Sequence, residues 1–234
     1  MSRYPQVREQ GSVSERIRRA GITLFRARGY HGTSVRAIAQ MVGVEAASLY
    51  HHFPSKQEIL YDIFVRTMDS LLDGLQRALT ANSGFEERLR AAIRFHVLFH
   101  IEHQDEAFIS HSELRSLAEP NRRRTTAKRD RYEAMLREFL ASGAKAGVFE
   151  IRDVRLTTIA ILTLCSGVSD WFTARGRLSA DAIVEDYADM VLRLLQRSAG
   201  PPSGKLPPKR ARVPPSSPRR ASTTGNHRGS RTRT

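Results

Sequence analysis

A single cysteine, Cys165, stands in a chain of 234 residues, so no internal disulfide can form, and no Cys/His spacing suits a zinc finger. That poverty of thiols points to a reducing compartment. No apolar run approaches the roughly 20 residues that a membrane span requires. Met1–Gln10 lacks the apolar stretch of a secretory signal. The expectation is a cytoplasmic protein with no membrane partner. Alternating apolar and polar residues are also missing, which excludes an ordinary sheet, and no repeat of 20–50 residues is present. There is no phosphate loop, nucleophile elbow or H-E-x-x-H, which argues against an enzyme and against a bound cofactor. With 40% hydrophobic residues, wholesale disorder is excluded as well.

Acidic residues are scarce at both ends. Residues 1–56 hold 9 basic and 3 acidic side chains, 57–199 hold 20 and 21, and 200–234 hold 9 and none. The excess of +14 therefore sits around a nearly neutral middle. Basic ends suit nucleic acid, because each phosphate they neutralise releases a condensed counterion. Seven of the ten prolines lie beyond Gly200 with almost nothing apolar, so this tail is expected to be disordered. It either adds affinity for DNA without sequence preference or acts as a solubilising extension.

What is present has helical period nearly throughout. Ile17, Ala20, Leu24 and Phe25 mark one face of a first helix ending near Arg28. Thr33 is placed to cap a short helix at 34–42, which Gly43 ends; a second short helix follows at 45–52. Pro54 stops it, and Ser55 with Glu58 reads as a capping box opening a long fourth helix. Further amphipathic helices are predicted at 86–103, 105–117, 121–146, 154–173 and 180–197. Two short helices around a left-handed glycine have the build of a helix-turn-helix. In such a unit the start of the second helix approaches base edges in the major groove.

The run Ala20-x3-Leu24-Phe25-x3-Gly29-Tyr30-x2-Thr33-Ser34-Val35-Arg36-x-Ile38-Ala39 resembles the TetR family of bacterial repressors. So does its continuation, Gly43-Val44-x4-Leu49-Tyr50-His51-His52-Phe53-x2-Lys56-x3-Leu60. The resemblance implies an all-α fold: a three-helix DNA-binding head, then a larger ligand-binding and dimerisation domain of about six helices. The expected limits are a flexible arm over 1–11, the head over 12–56, the larger domain over 57–199 and the tail over 200–234.

Carried over residue by residue, the resemblance makes Thr33, Arg36 and Lys56 phosphate contacts. Glu45, Ala46, Ala47 and Ser48 become the base-facing start of the recognition helix. Tyr50, His51 and His52 fall at its groove-facing end, while Leu49 and Phe53 match core positions. One departure matters: Ala46-Ala47 offers no side-chain hydrogen bonds where many relatives carry a polar or basic residue. Base reading then leans on methyl contacts, on Ser48 or on DNA shape.

The partners implied are a palindromic duplex operator, a second copy of the chain, and a small-molecule effector. The dimer is expected through the helices at about 154–173 and 180–197, both with wide apolar faces. Phe95, Phe99 and Phe108 are candidates to line an effector cavity or to fill it. Trp171-Phe172, followed by Arg175-Gly176-Arg177, resembles a segment of family members that sense acyl-CoA thioesters. Arg122-Arg123-Arg124 with Lys128, Arg129 and Arg131 invites a phosphate reading, although such a run is more often a solvated face. His96, His100 and His103 fall on one arc of a helix; they read as cavity or core histidines, as solvent-facing residues, or as metal ligands. The sequence places no third ligand, so no metal is assigned. The leading function is a ligand-released repressor; an activator and an architectural DNA-coating protein are the alternatives.

Overall fold

A computed structural model describes residues 11–81 and 83–196. The expectations for the arm (Gly11 apart) and for the tail over 200–234 lie outside the described residues. Every regular element among those described is helical. They run α1 Val13–Arg28, α2 Val35–Val42, α3 Ala46–His52, α4 Lys56–Leu79, α5 Phe85–Glu102 and α6 Gln104–Ser112. A 3-10 turn Leu114–Ser116 precedes α7 Glu119–Lys145, α8 Val154–Ser166, α9 Val168–Trp171 and α10 Ala180–Leu195. None of these helices is long and apolar enough to cross a membrane.

Local chemistry explains most of the boundaries. Ser12, Ser34, Ser55, Asp153 and Ser179 each accept a backbone N–H from the first turn of the helix they open. The cap of α2 is therefore Ser34, not Thr33, whose side chain is turned inward. The capping box of α4 is only half made: Ser55 bonds Glu58 N, but the Glu58 carboxylate accepts from Asn121 instead. Gly43 ends α2 in the left-handed region at φ 78°, where its N–H reaches the carbonyls of Ala39 and Gln40.

Two expected helices are broken. The segment 105–117 ends its α-helix at Ser112, because Glu113 is drawn away by partners in the head, described below. The segment 154–173 lapses at Gly167 into α8 and α9; the Gln104 amide donates to the carbonyls of Ser169 and Phe172 and closes the end of α9.

The apolar side chains form two clusters. The smaller joins α1–α3 to the first two turns of α4, with Phe25, Ile38, Leu49, Ile59 and Phe64 sealed inside. Ile109 and Leu117, from the α6–α7 region, belong to it as well. The packing boundary thus runs through α4, between Phe64 and Met68, and not at residue 56. The larger cluster joins the rest of α4 to α5, α7, α8 and α10. Gly74 on α4 lets the Phe95 ring of α5 lie where a Cβ would otherwise stand. Arg90 and Arg94 of α5 pair with Glu185 and Asp189 of α10 along its edge.

Candidate DNA interface and effector cavity

The recognition segment is built on one anchor. Leu49 is fully buried in the head and Phe53 nearly so, as their core assignment requires. With Leu49 facing in, the helical period turns Ala47, Tyr50 and His51 outward, and all three are exposed. Ala46 and Ser48 are half-buried at its flanks; Glu45, exposed, caps the helix without a side-chain bond. His52 is exposed, and its Nδ1 lies 3.2 Å from the Ser14 hydroxyl, tying the end of α3 to α1. Arg36 stands exposed on the first turn of α2. The surface is thus small-residued at the start of α3 and carries Tyr50, half exposed, as a large apolar group.

Two of the expected phosphate contacts are engaged elsewhere. Thr33 is only 2% exposed, and its hydroxyl is directed at the carbonyls of Gly29 (2.9 Å) and Leu24 (3.2 Å). It locks the α1–α2 turn from within, so its side chain is not a phosphate donor. Lys56 Nζ donates to the carbonyls of Tyr30 (2.8 Å) and Thr33 (2.7 Å) and sits 4.1 Å from the centre of the Tyr30 ring. Burial pushes its pKa below the usual lysine range, partly offset by Glu113. Lys56 clamps the same turn from outside.

That turn is also held by the larger domain. Glu113 Oε1 accepts from the Tyr30 backbone N–H at 3.0 Å, and its Oε2 accepts from the Ser116 hydroxyl at 2.7 Å. Gln57 donates to Tyr30 Oη and to the Ser116 carbonyl, both at 2.7 Å, and accepts from Ala118 N at 2.8 Å. Nearby, Arg26 lies over the Phe108 ring and pairs with Asp105. The joint at 113–118 is therefore stapled to the turn that leads into α2. Nothing local in the sequence marks this joint, because its partners are distant in the chain.

Above the joint, a cavity of about 390 Å³ opens between α4, α5, α6, α7 and α8. Met68, Leu71, Phe99 and Leu162 give it an apolar wall; Leu114 borders both the cavity and the head cluster. Its polar wall centres on His96, whose Nδ1 lies 2.7 Å from Tyr132 Oη and whose Nε2 lies 2.9 Å from Ser166 Oγ. Burial, with His100 alongside, holds the His96 pKa well below its usual value, so the ring is neutral. The buried Tyr132 phenol is pushed far up and stays protonated. His100 stacks on His96 at 4.2 Å, and its Nδ1 donates to the His96 carbonyl at 2.8 Å. Burial lowers its pKa too. With Nδ1 donating, neutral His100 carries its lone pair on Nε2.

Of the expected ligand residues, His96, Phe99 and His100 line this cavity, and Phe108 lines an adjoining cleft of about 660 Å³. The other four do not. The Phe95 ring is spent on Gly74. His103 lies past the end of α5, so the arc breaks there; its ring packs tilted against Phe99 and faces Glu106. Trp171 is half exposed at the end of α9. Arg175 lies exposed in the loop after α9. Tyr132, Ser166 and Arg129 are cavity residues that helical periodicity alone did not single out for the wall, and His111 lines it as well. Among the described residues no group of three or more His, Cys, Asp or Glu side chains is placed to hold a metal ion.

Two faces of the larger domain remain apolar and open. On α8, Leu156, Ile159, Ala160 and Leu164 are exposed along one stripe; on α10, Met190 and Leu194 are exposed, while Ile183, Tyr187 and Val191 are buried inward.

Comparison with known proteins places this geometry. The family described as bacterial regulatory proteins, tetR family, matches residues 17–63, and a second described as tetracyclin repressor-like, C-terminal domain, matches 82–195. The repressor KstR2 of Rhodococcus jostii is 30% identical over 179 residues, covering 73% of this chain and 84% of that protein. The transcriptional activator FasR of Mycolicibacterium smegmatis is 36% identical over 89 residues, covering 38% of this chain and only 40% of FasR. Among solved structures, the TetR-family regulator PfmR from Thermus thermophilus superposes with a TM-score of 0.71 at 36% identity, over 78% of this chain and all of that one. AibR, solved with isovaleryl coenzyme A and operator DNA, gives 0.69 at 25% identity, over 79% and 98%.

Proposed function

The chain belongs to the TetR family of bacterial transcriptional regulators, and from that membership we propose that it is a cytoplasmic homodimeric repressor released from a palindromic operator by a small-molecule effector. The observation that carries the reading is the joint at 113–118. It shares Leu114 with the cavity and holds the Tyr30 turn of the head, so what fills the cavity acts on the segment leading into the helix-turn-helix. An effector shifts the operator equilibrium only through different affinities for two arrangements of the heads. Loss of the Glu113–Tyr30 bond is a concrete difference between two such arrangements.

At the operator, Arg36, Tyr50, His51 and His52 contact the backbone, and Glu45 with Ala46–Ser48 faces base edges. Two copies of α3 about 34 Å apart meet successive turns of one groove. The apolar stripes of α8 and α10 support pairing of two copies, since large exposed apolar patches mark interaction surfaces. An acyl-CoA thioester is the effector class favoured here. The cavity has a long apolar wall with neutral polar groups, and AibR binds isovaleryl coenzyme A.

The test is selection of genomic DNA fragments by the purified protein, repeated with Tyr50→Ala and with Leu156→Glu/Ile159→Lys. Bound fragments should share an inverted repeat; Tyr50→Ala should weaken binding at least tenfold, and the double variant should sediment as a monomer. Binding without a shared sequence would instead favour a DNA-coating protein. A FasR-like activating role shares the same head and is separated by transcription from the recovered operator.

A further inference from the structure

Two clefts share lining residues with the cavity, and their charges differ. The cleft bordered by Phe108 carries one arginine, Arg129, against Asp170, with His111 held toward its neutral form by burial and by Arg129. Farther toward the start of α7, a groove of about 440 Å³ shares Leu114, Thr126 and Asp130 with the cavity and is also lined by Arg115, Arg122 and Arg123. Glu119 pairs with both Arg122 and Arg123, so one carboxylate serves two guanidinium groups. Among the described residues Arg115 has no ion-pair partner. Even with Glu119 and Asp130 counted, the groove keeps a positive surplus.

We propose that this groove seats the phosphates of the effector, whose apolar portion passes Leu114 and Thr126 into the cavity. The proposal rests on the thioester reading above and adds where the charged part binds. Arginine is suited to the task because its planar fork donates two parallel hydrogen bonds to a phosphate. The position also has a consequence for release. Arg115 lies one residue from Leu114 and two from Glu113, inside the 3-10 turn that the head holds through Tyr30 and Gln57. A phosphate drawn to Arg115 pulls on that turn. Filling the cavity with the apolar part alone presses only on Leu114. Phosphates therefore contribute to release as well as to affinity.

The experiment is calorimetric titration of the full chain with acyl-CoA thioesters of four to sixteen carbons, with the matching N-acetylcysteamine thioesters that lack phosphates, and with coenzyme A and ADP alone. Each probe is used on the native protein and on Arg115→Ala/Arg123→Ala, two exposed positions whose loss leaves the fold intact. The native protein should bind the coenzyme A ester at least tenfold tighter than its truncated partner. The variant should lose most of that gap while holding the truncated ester within twofold. Operator release by the coenzyme A ester should weaken in parallel. A gap that survives in the variant overturns the seat. No gap in the native protein also overturns it, yet leaves the thioester reading standing. Binding of neither ester removes both. If ADP alone matches the ester in affinity, the groove is a general nucleotide site unconnected to the cavity, and the proposal fails.

Discussion

The head and the larger bundle are made of similar helices, yet they differ in what their buried polar side chains surround. In the head, Thr33 is satisfied by two backbone carbonyls, Lys56 by two more, and the rest of the interior is apolar. In the bundle, His96, His100 and Tyr132 are buried around open space and bonded chiefly to one another. The first arrangement fixes one shape. The second forgoes packing density to keep a polar-walled chamber, as a site for a small molecule requires.

Core truncation exposes that contrast most strongly. Leu49→Ala empties a sealed position and should cost about 2–5 kcal/mol. Leu162→Ala, half-buried and already beside the cavity, should cost less than about 2 kcal/mol because fewer contacts are lost. Denaturant midpoints without effector compare the two. Equal losses would mean that the cavity wall is as closely packed as the head.

Lys56→Met tests whether the clamp or DNA claims that lysine. Removing it strands the carbonyls of Tyr30 and Thr33, a loss of about 1–3 kcal/mol. The slope of operator affinity against salt should hardly change. A slope that falls by about 0.9 per protomer with stability unchanged would return Lys56 to the phosphate.

The bundle should also be the acid-sensitive half. His96 and His100 have folded pKa values below the free value of 6.5, so at mildly acid pH the unfolded chain binds more protons than the folded one. Stability is therefore intact above about pH 6.5 and is lost as pH falls toward the folded values, by at most about 1.4 kcal/mol per pH unit for each histidine. Thermal melts from pH 7.5 to 5.0 should show this fall, shallower in His100→Gln. Parallel curves for the two proteins would remove His100 from the effect.

The same division explains what the sequence could disclose. The head is legible because its determinants are local: Gly43 in the left-handed region, Pro54 after α3, and Leu49 fixing which side of α3 turns outward. Even there the internal bonds of Thr33 and Lys56 were not legible, since most of the carbonyls that engage them come from a turn whose path no periodicity reveals. The cavity was half legible. His96, Phe99 and His100 share a helix and so share an arc, but Tyr132 and Ser166 reach His96 from 36 and 70 residues away. The arc failed at His103 because α5 stops at Glu102. The Glu113–Tyr30 bond spans 83 residues and breaks a helix that propensity would have continued.

The smallest effect expected is the one that best isolates the outer surface from both interiors. Arg36 is exposed and stands on the turn that Ser34 caps, so Arg36→Ala should leave the unfolding midpoint where it is. Its phosphate role predicts a salt slope shallower by about 0.9 for each protomer, with affinity reduced alike on the operator and on unrelated duplex DNA. A loss confined to the operator would mean that Arg36 reads sequence. An unchanged slope would leave Tyr50 and the two histidines beside it to hold the backbone, and would narrow the docking surface to α3 alone.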